Sequence, residues 1–436
     1  MLNRVDLKGF KLHRDTSLEL APITVFIGPN NSGKSSIFQA LLALRQACEA
    51  DPPRTMFLAP AQRQPTSDGK PFLFPLNQLI DIGDFADVVR LDHSAVTIGV
   101  SGSVRSAGLC SDIGVSFKVE IEQNTLVGHE GRLNSPYGRS EWKYAGGAPE
   151  ILPALREELD PQVELWTAKL QLSETFQLLH PGLVEFHGIG GWEKPREVAP
   201  ALASTPRDLL RSLRPVHPLR GLEEWGAPLP QQRADSIERL VLPDRAIALS
   251  SLLTSDLKLR REVSERLEEL VGIGIDFETI GNSRVKLYAI PTGQRAAQTL
   301  LANEGTGANQ LAFILVPLGL ANPGETILLA EPEVHLHPKM QSELAGLLLT
   351  IADKQRLQLV IETHSEHVLH RLLHAVASGE LKRDDLAIHY FENQDGVAKV
   401  QRLQVNDLGQ VEGGLPGFFD QSLAELSEYL AALKKA

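Results

Sequence analysis

Residues Gly28 to Ser36 read GPNNSGKSS and fit the pattern G-x-x-x-x-G-K-[ST], the feature that most restricts how this chain folds. Glycines in such a turn let the backbone curl until successive N–H groups converge on one point. A helix starting there adds its own unpaired amides and the positive end of its dipole. The pattern carries this meaning only between a strand and a helix. Both are expected. Leu18, Leu20, Ile23, Val25 and Ile27 alternate with other positions up to the turn, and Ser35 to Ala50 carries Ile37, Leu41, Leu42 and Leu44 at helical spacing without Gly or Pro. An earlier alternation at Val5, Leu7, Phe10 and Leu12 makes two or three strands within residues 1–30.

A strand, a glycine turn and a helix in that order grip the phosphates of a nucleotide. Asn30, Asn31, Ser32, Gly33, Lys34, Ser35 and Ser36 are the expected ATP-binding residues. Lys34 reaches the β and γ phosphates and Ser35 holds Mg²⁺. A second segment, TILLAEPEVHLHP from Thr326, reads as a buried strand of the parallel type ending in acidic residues. Carboxylates there can face Mg²⁺ and the attacking water. Glu331 stands where a water-orienting carboxylate is expected and is a candidate metal ligand, whereas the preceding position, usually acidic, is Ala330. Hydrolysis is then slow, or Glu331 and Glu333 divide the metal and water duties; the residues alone leave both open.

A further strand ends at Glu362, Thr363 and His364, and His364 is the expected sensor of the γ-phosphate and holder of the water. His364, His367, His370 and His374 recur at steps of three, three and four along one helix face, which suits either a metal set or ordinary solvated or packed histidines. The segment NEGTGANQLAFILVPLGL opens with a glycine turn, Glu304 to Gly307, before an apolar helix. That turn is an anion-receptive helix N-terminus or an ordinary cap.

The expected fold class is α/β, a mixed sheet flanked by helices, with an inserted, mainly helical subdomain. Residues 1–149 form one lobe, 150–284 the insert and 285–436 the returning lobe. Within these bounds, 51–85 is an exposed excursion and Ala95–Ile121 holds short strands. Helices are expected near Glu150–Leu179, Ser236–Leu253 and Asp256–Val271, and a strand pair over 275–302. From Glu304 the order is loop, helix, strand, helix, strand, helix. No internal repeat or sustained heptad is present, so long coiled-coil arms are not expected.

A net charge of −12 means that the molecule as a whole repels phosphate, so contact with DNA needs a local basic patch, for which LKLRREVSER around Lys258 to Arg266 is the candidate. Cys48 and Cys110, the two cysteines, support neither a disulfide framework nor a thiolate zinc site. No apolar run approaches the roughly 18 residues that cross a bilayer. The N-terminus, with Asp6, Lys8 and Lys11, lacks a signal-peptide core, so a cytoplasmic protein without membrane contact is expected.

With these pieces in order the chain resembles the ABC/SMC-like, AAA-labelled P-loop ATPases related to the OLD (overcoming lysogenization defect) and RecF groups, over about residues 1–100 and 285–436. ETHSEH, EPEVHLHP and LPGFFDQ look like the small stand-alone ATPases of bacterial defence operons, including the PtuA-like Septu ATPases; in the middle region HPLRGLEEW alone carries the likeness. The resemblance implies a head-type NTPase fold. It gives Glu304, Gly305, Thr306 and Gly307 the role of a signature loop that reaches another subunit's γ-phosphate, hence an ATP-sandwiched homodimer. It also implies a glutamine loop between nucleotide and insert, for which Gln78 is the choice as a metal-side residue and a plain surface glutamine the alternative. OLD nucleases carry a Toprim domain after the ATPase core. Only about seventy residues follow His364 here, without a separate acidic constellation, so an effector such as a nuclease is expected in trans. The leading expectation is therefore a regulatory ATPase, plausible in anti-phage defence, with a DNA-clamping repair-type head as the alternative. A transporter subunit is disfavoured by the size of the insert and the form of the signature loop.

Overall fold

The alternation at the N-terminus becomes β1 (Leu2–Phe10), β2 (His13–Glu19) and β3 (Ile23–Ile27), and the phosphate-type loop leads into α1 (Lys34–Glu49). The computed structural model describes residues 1–49, 85–106, 111–122, 125–135, 138–145, 165–170, 184–189, 205–206, 208–216, 227–228, 245–280, 284–292 and 298–414. Next come α2 (Phe85–Val88), β4 (Val96–Ser106), β5 (Ser111–Glu122), β6 (Thr125–Ser135) and β7 (Gly138–Ala145). The middle of the chain adds β8 (Leu165–Leu170), β9 (Val184–Ile189), β10 (Leu213–Val216), β11 (Ala227–Pro228), α3 (Arg245–Ser255) and α4 (Leu257–Val271). Then follow β12 (Ile273–Ile280), β13 (Arg284–Pro291), β14 (Thr299–Leu300), α5 (Thr306–Leu320) and β15 (Thr326–Ala330). The last elements are α6 (Pro338–Gln355), β16 (Gln358–Glu362), α7 (Glu366–Ala377), β17 (Leu386–Gln394) and β18 (Val397–Leu403).

The central sheet runs β10-β15-β16-β3-β17-β18, parallel except for the last pair. Its strands alternate between two cores. Ile23, Val25, Ile27, Ile327, Leu329, Leu359 and Ile361 face α3 to α7, while Phe26, Leu328, Val360 and Phe391 face α1 and the second sheet. Strands buried on both faces read as continuous apolar runs, which is why β3 and β16 are buried at every position. The second sheet, β2-β1-β4-β5-β6-β7, is antiparallel.

Two differences from the sequence reading have physical causes. The strands expected to be short over Ala95–Ile121 are 11 and 12 residues long, because Gly99 and the Ser101-Gly102-Ser103 stretch weaken the apolar signal of Val96, Ile98 and Val100 without breaking the ladder. Within the range expected as helix near Glu150–Leu179, the described residues Leu165–Leu170 form β8, which pairs with β9; a partner 14 to 24 residues away supplies ladder bonds that local periodicity does not register, and the rest of that range lies outside the described residues. Among the described residues of 150–284 helix is the larger share, in α3 and α4, with β8 to β12 beside it. Within them, β10 joins the edge of the central sheet, held there by a forked ion pair from Arg214 to Glu325 at 2.7 and 2.9 Å. β12 and β13 form a hairpin that straddles residue 284, and α4 starts as expected, with the Asp256 side chain capping Leu259 N at 3.0 Å.

Beyond the last expected helix, the chain returns as the β17–β18 hairpin, and β17 pairs with β3 beside the phosphate-type loop. Its turn is Asp395-Gly396, both left-handed at φ 52° and 78°. No helix among the described residues is long and apolar enough to cross a membrane.

Candidate nucleotide-binding site

The loop between β3 and α1 owes its shape to two glycines. Gly28 has φ 137° and a Cβ there would lie 2.1 Å from the Phe391 carbonyl oxygen on β17; Gly33 has φ 99° and packs against His13. Asn31 is also left-handed, at φ 57°. Lys34 is buried, and its Nζ donates to the carbonyls of Gly28 at 3.0 Å and Pro29 at 2.7 Å. Burial lowers its pKa, while Glu362 and Glu331 act to raise it. His13 stands behind the loop, with Nε2 2.9 Å from the Gly33 carbonyl and Nδ1 3.0 Å from the Thr16 hydroxyl. Burial drives its pKa down to about 4, so the ring is neutral at pH 7. A carbonyl can only accept, so Nε2 carries the proton and Nδ1 accepts from Thr16.

Two strand ends face this loop. At the end of β16, Glu362 is 3% exposed, and its Oε1 accepts from the Ser35 hydroxyl at 2.5 Å. Burial raises its pKa, against the pull of Ser35 and Lys34. After β15 the backbone turns left-handed at Glu331, φ 44°, where its N–H donates to the Glu362 carbonyl at 2.8 Å. A non-glycine residue held there stores strain, which is common at functional turns. The Glu331 carboxylate is half-buried, and its Oε1 lies 4.0 Å from His364 Nε2. Burial and Lys34 lower the pKa of His364 against the influence of Glu331, leaving a neutral imidazole at pH 7. Glu333 is 6% exposed; one oxygen accepts the His364 N–H at 2.7 Å and the other has no hydrogen-bond partner. Its pKa is raised by burial.

Asn30, Asn31, Ser32, Gly33, Lys34, Ser35 and Ser36 line one open cleft of about 860 Å³ together with Glu331, Glu362 and His364. Glu304, Gly305 and Gly307 do not line it, and the side chain of Thr306 lies outside what the structure describes. They sit at the start of α5, where Glu304 accepts from the Thr299 hydroxyl and a Cβ on Gly307 would meet Leu336 at 3.2 Å. Gln78 lies outside the described residues. His364 precedes α7, whereas His367, His370 and His374 lie on that helix's exposed side, as solvated residues do.

Two contributors were not given roles from the sequence. Glu362 was visible as a strand end, and what identifies it is that its strand adjoins β3; His13 left no signal. Among the described residues no three His, Cys, Asp or Glu side chains are grouped to hold a metal by themselves. That composition suits Mg²⁺, which takes one or two protein oxygens and the rest from phosphates and water.

A loop and helix N-terminus at the carboxyl end of the middle strand of a parallel sheet define a P-loop NTPase fold. Residues 1–93 and 248–369 match the family of the AAA ATPase domain, and 381–428 match a family described as a protein of unknown function (DUF3696). Of the two blocks matched by that family, the first holds the phosphate-type loop and the second the acidic strand ends. No curated protein matches it. Similar solved structures include the SMC head domain from Thermotoga maritima, at 14% identity over 93% of this chain and 99% of that one, with a TM-score of 0.41. Another is the Smc head domain with an extended coiled coil, bound to the C-terminal domain of ScpA, from Pyrococcus furiosus, at 13% identity over 98% and 99%, TM-score 0.46.

Proposed function

We propose that the chain binds ATP with Mg²⁺ in this cleft and hydrolyses it, and that binding closes a homodimer whose state is passed to a separate effector protein such as a nuclease. The observation that carries the reading is the convergence of Lys34, Ser35, Glu331 and His364, from three strand ends, on one cleft.

The loop amides and the α1 dipole take the phosphates, and Lys34 adds a full charge. Ser35 and the carboxylates at the strand ends would hold Mg²⁺, which neutralises charge on the phosphates when bound. The Glu331 carboxylate orients water and accepts its proton. Neutral His364, 4.0 Å away, holds that water by a hydrogen bond. Glu304, Gly305 and Gly307, outside their own chain's cleft, are left with Thr306 to meet the triphosphate of the partner copy. A role in anti-phage defence follows from the resemblance to the Septu ATPases.

The DNA-clamp alternative draws little from α4. Lys258 lies 3.7 Å from Glu262, Arg266 lies 2.9 Å from Glu269, and Arg260 stacks on the Phe277 ring, so this basic run is largely compensated by its own helix and neighbours. Phosphate release from ATP by the purified chain, with size measured in ATP, tests the proposal. Turnover by the native chain and an ATP-dependent dimer for Glu331→Gln are expected. Turnover of Glu331→Gln at the native rate would remove Glu331 from catalysis.

A further inference from the structure

Ala330 leaves the metal side of the cleft one acid short, and the sheet shows where a replacement sits. β16 lies between β15 and β3, and Ala330, Glu362 and Phe26 are register partners across the three strands. Register partners in a parallel sheet project to the same face, so Glu362 points with Phe26 toward α1, one strand nearer the phosphate loop than residue 330. Its contact with Ser35, the hydroxyl at the start of α1, fits that direction.

We propose that Glu362 is the carboxylate that completes the Mg²⁺ site with Ser35, in the role left open at Ala330; this rests on ATP and Mg²⁺ occupying the cleft. Four observations converge. The Ser35 hydroxyl already has Glu362 as its partner at 2.5 Å. A carboxylate only 3% exposed is paired or binds a metal, and the one cation acting on it among the described residues, Lys34, gives its hydrogen bonds to the Gly28 and Pro29 carbonyls, so a metal ion is accommodated beside it. Glu333, 6% exposed, does not line the cleft but adds negative charge behind Glu362 and keeps an oxygen without a hydrogen bond, which favours a cation on this side. Finally, neighbouring strands run about 4.8 Å apart, so an acid at 330 would set two buried carboxylates side by side, and like charges at that range oppose each other. The alanine methyl group avoids the conflict. The acid has moved one strand across the sheet, and Glu331, half-buried and beside His364, keeps the water-orienting role.

The alternative is a purely structural clamp on Ser35, and charge separates the two. Glu362→Gln keeps an acceptor for the Ser35 hydroxyl and loses the charge. In the full chain, Mn²⁺ binding in the presence of ATP, read by electron paramagnetic resonance, is expected to weaken at least about tenfold. Binding of a fluorescent ATP analogue in EDTA is expected to stay within about twofold, because the loop amides and Lys34 are intact. The double variant Ala330→Asp/Glu362→Gln is expected to recover Mn²⁺ binding. Native Mn²⁺ affinity in Glu362→Gln, or equal losses with and without metal, overturns the assignment. Absence of analogue binding by the native chain in EDTA and in Mg²⁺ alike overturns the nucleotide reading as well, and is a separate result.

Discussion

The two walls of the cleft are built by different means for the nucleotide proposed to lie between them. The phosphate wall is contiguous backbone, in which nine successive residues carry the turn, the lysine and the start of α1. The acidic wall is side chains from two strand ends, joined by the Glu331 N–H to Glu362 carbonyl bond and the His364 N–H to Glu333 bond. Backbone amides cannot move to another strand, so the first wall keeps a fixed spacing. Carboxylates can be offered from neighbouring strands of one sheet, so the second wall permits an alanine where an acid is usual.

The largest effect is expected on the acidic wall. Glu331→Gln should lower turnover by on the order of 1,000-fold while leaving nucleotide affinity nearly unchanged, because only the proposed general base is lost. Phosphate release and equilibrium binding measured on one preparation separate the two. On the phosphate wall, Lys34→Ala removes charge-assisted hydrogen bonds and should weaken ATP binding on the order of 100-fold, with the nucleotide-free melting temperature shifted by only a few degrees. A loss of folding in its place would assign Lys34 mainly to holding the Gly28 and Pro29 carbonyls.

Gly28→Ala probes the backbone itself. Its Cβ would meet the Phe391 carbonyl in a left-handed conformation, so destabilisation of about 2 kcal/mol is expected by chemical denaturation. Asn30→Ala, a side-chain change in the same loop, should cost less than about 0.5 kcal/mol. Equal costs would show that the wall is not a backbone device.

The smallest effect is a pH dependence. His13 and His389 are buried with pKa values near 4, below the ordinary 6.5, and His389 Nε2 donates to the Glu19 carbonyl at 2.8 Å. Between these values the unfolded chain binds more protons than the folded one, so their stabilisation is complete above pH 6.5 and is lost as pH falls toward 4. Each histidine contributes a slope of up to about 1.4 kcal/mol per pH unit. His13→Gln, which can still donate to Gly33, should flatten the stability curve in that window, and an unchanged slope would contradict a neutral, buried ring.

This contrast also explains what was legible in the sequence. β3, the loop and α1 could be read because strand, glycine turn and amphipathic helix are local patterns. So could α4, with Asp256 before it and Gly272 after it. β8 was not legible, because it exists through pairing with β9. The β17–β18 hairpin did leave a signal, Asp395-Gly396 between apolar runs, and it matters because β17 closes over Gly28. Glu362 was plain as a residue but not as a site member, since its neighbour across the sheet is 32 positions earlier, at Ala330.

Isothermal titration of the native chain and Lys34→Ala with MgATP tests the shared cleft most directly. Saturable binding of one nucleotide per chain, lost in Lys34→Ala, is the expected result. No heat at millimolar ATP, or equal affinity in the two proteins, would contradict a triphosphate held between these walls.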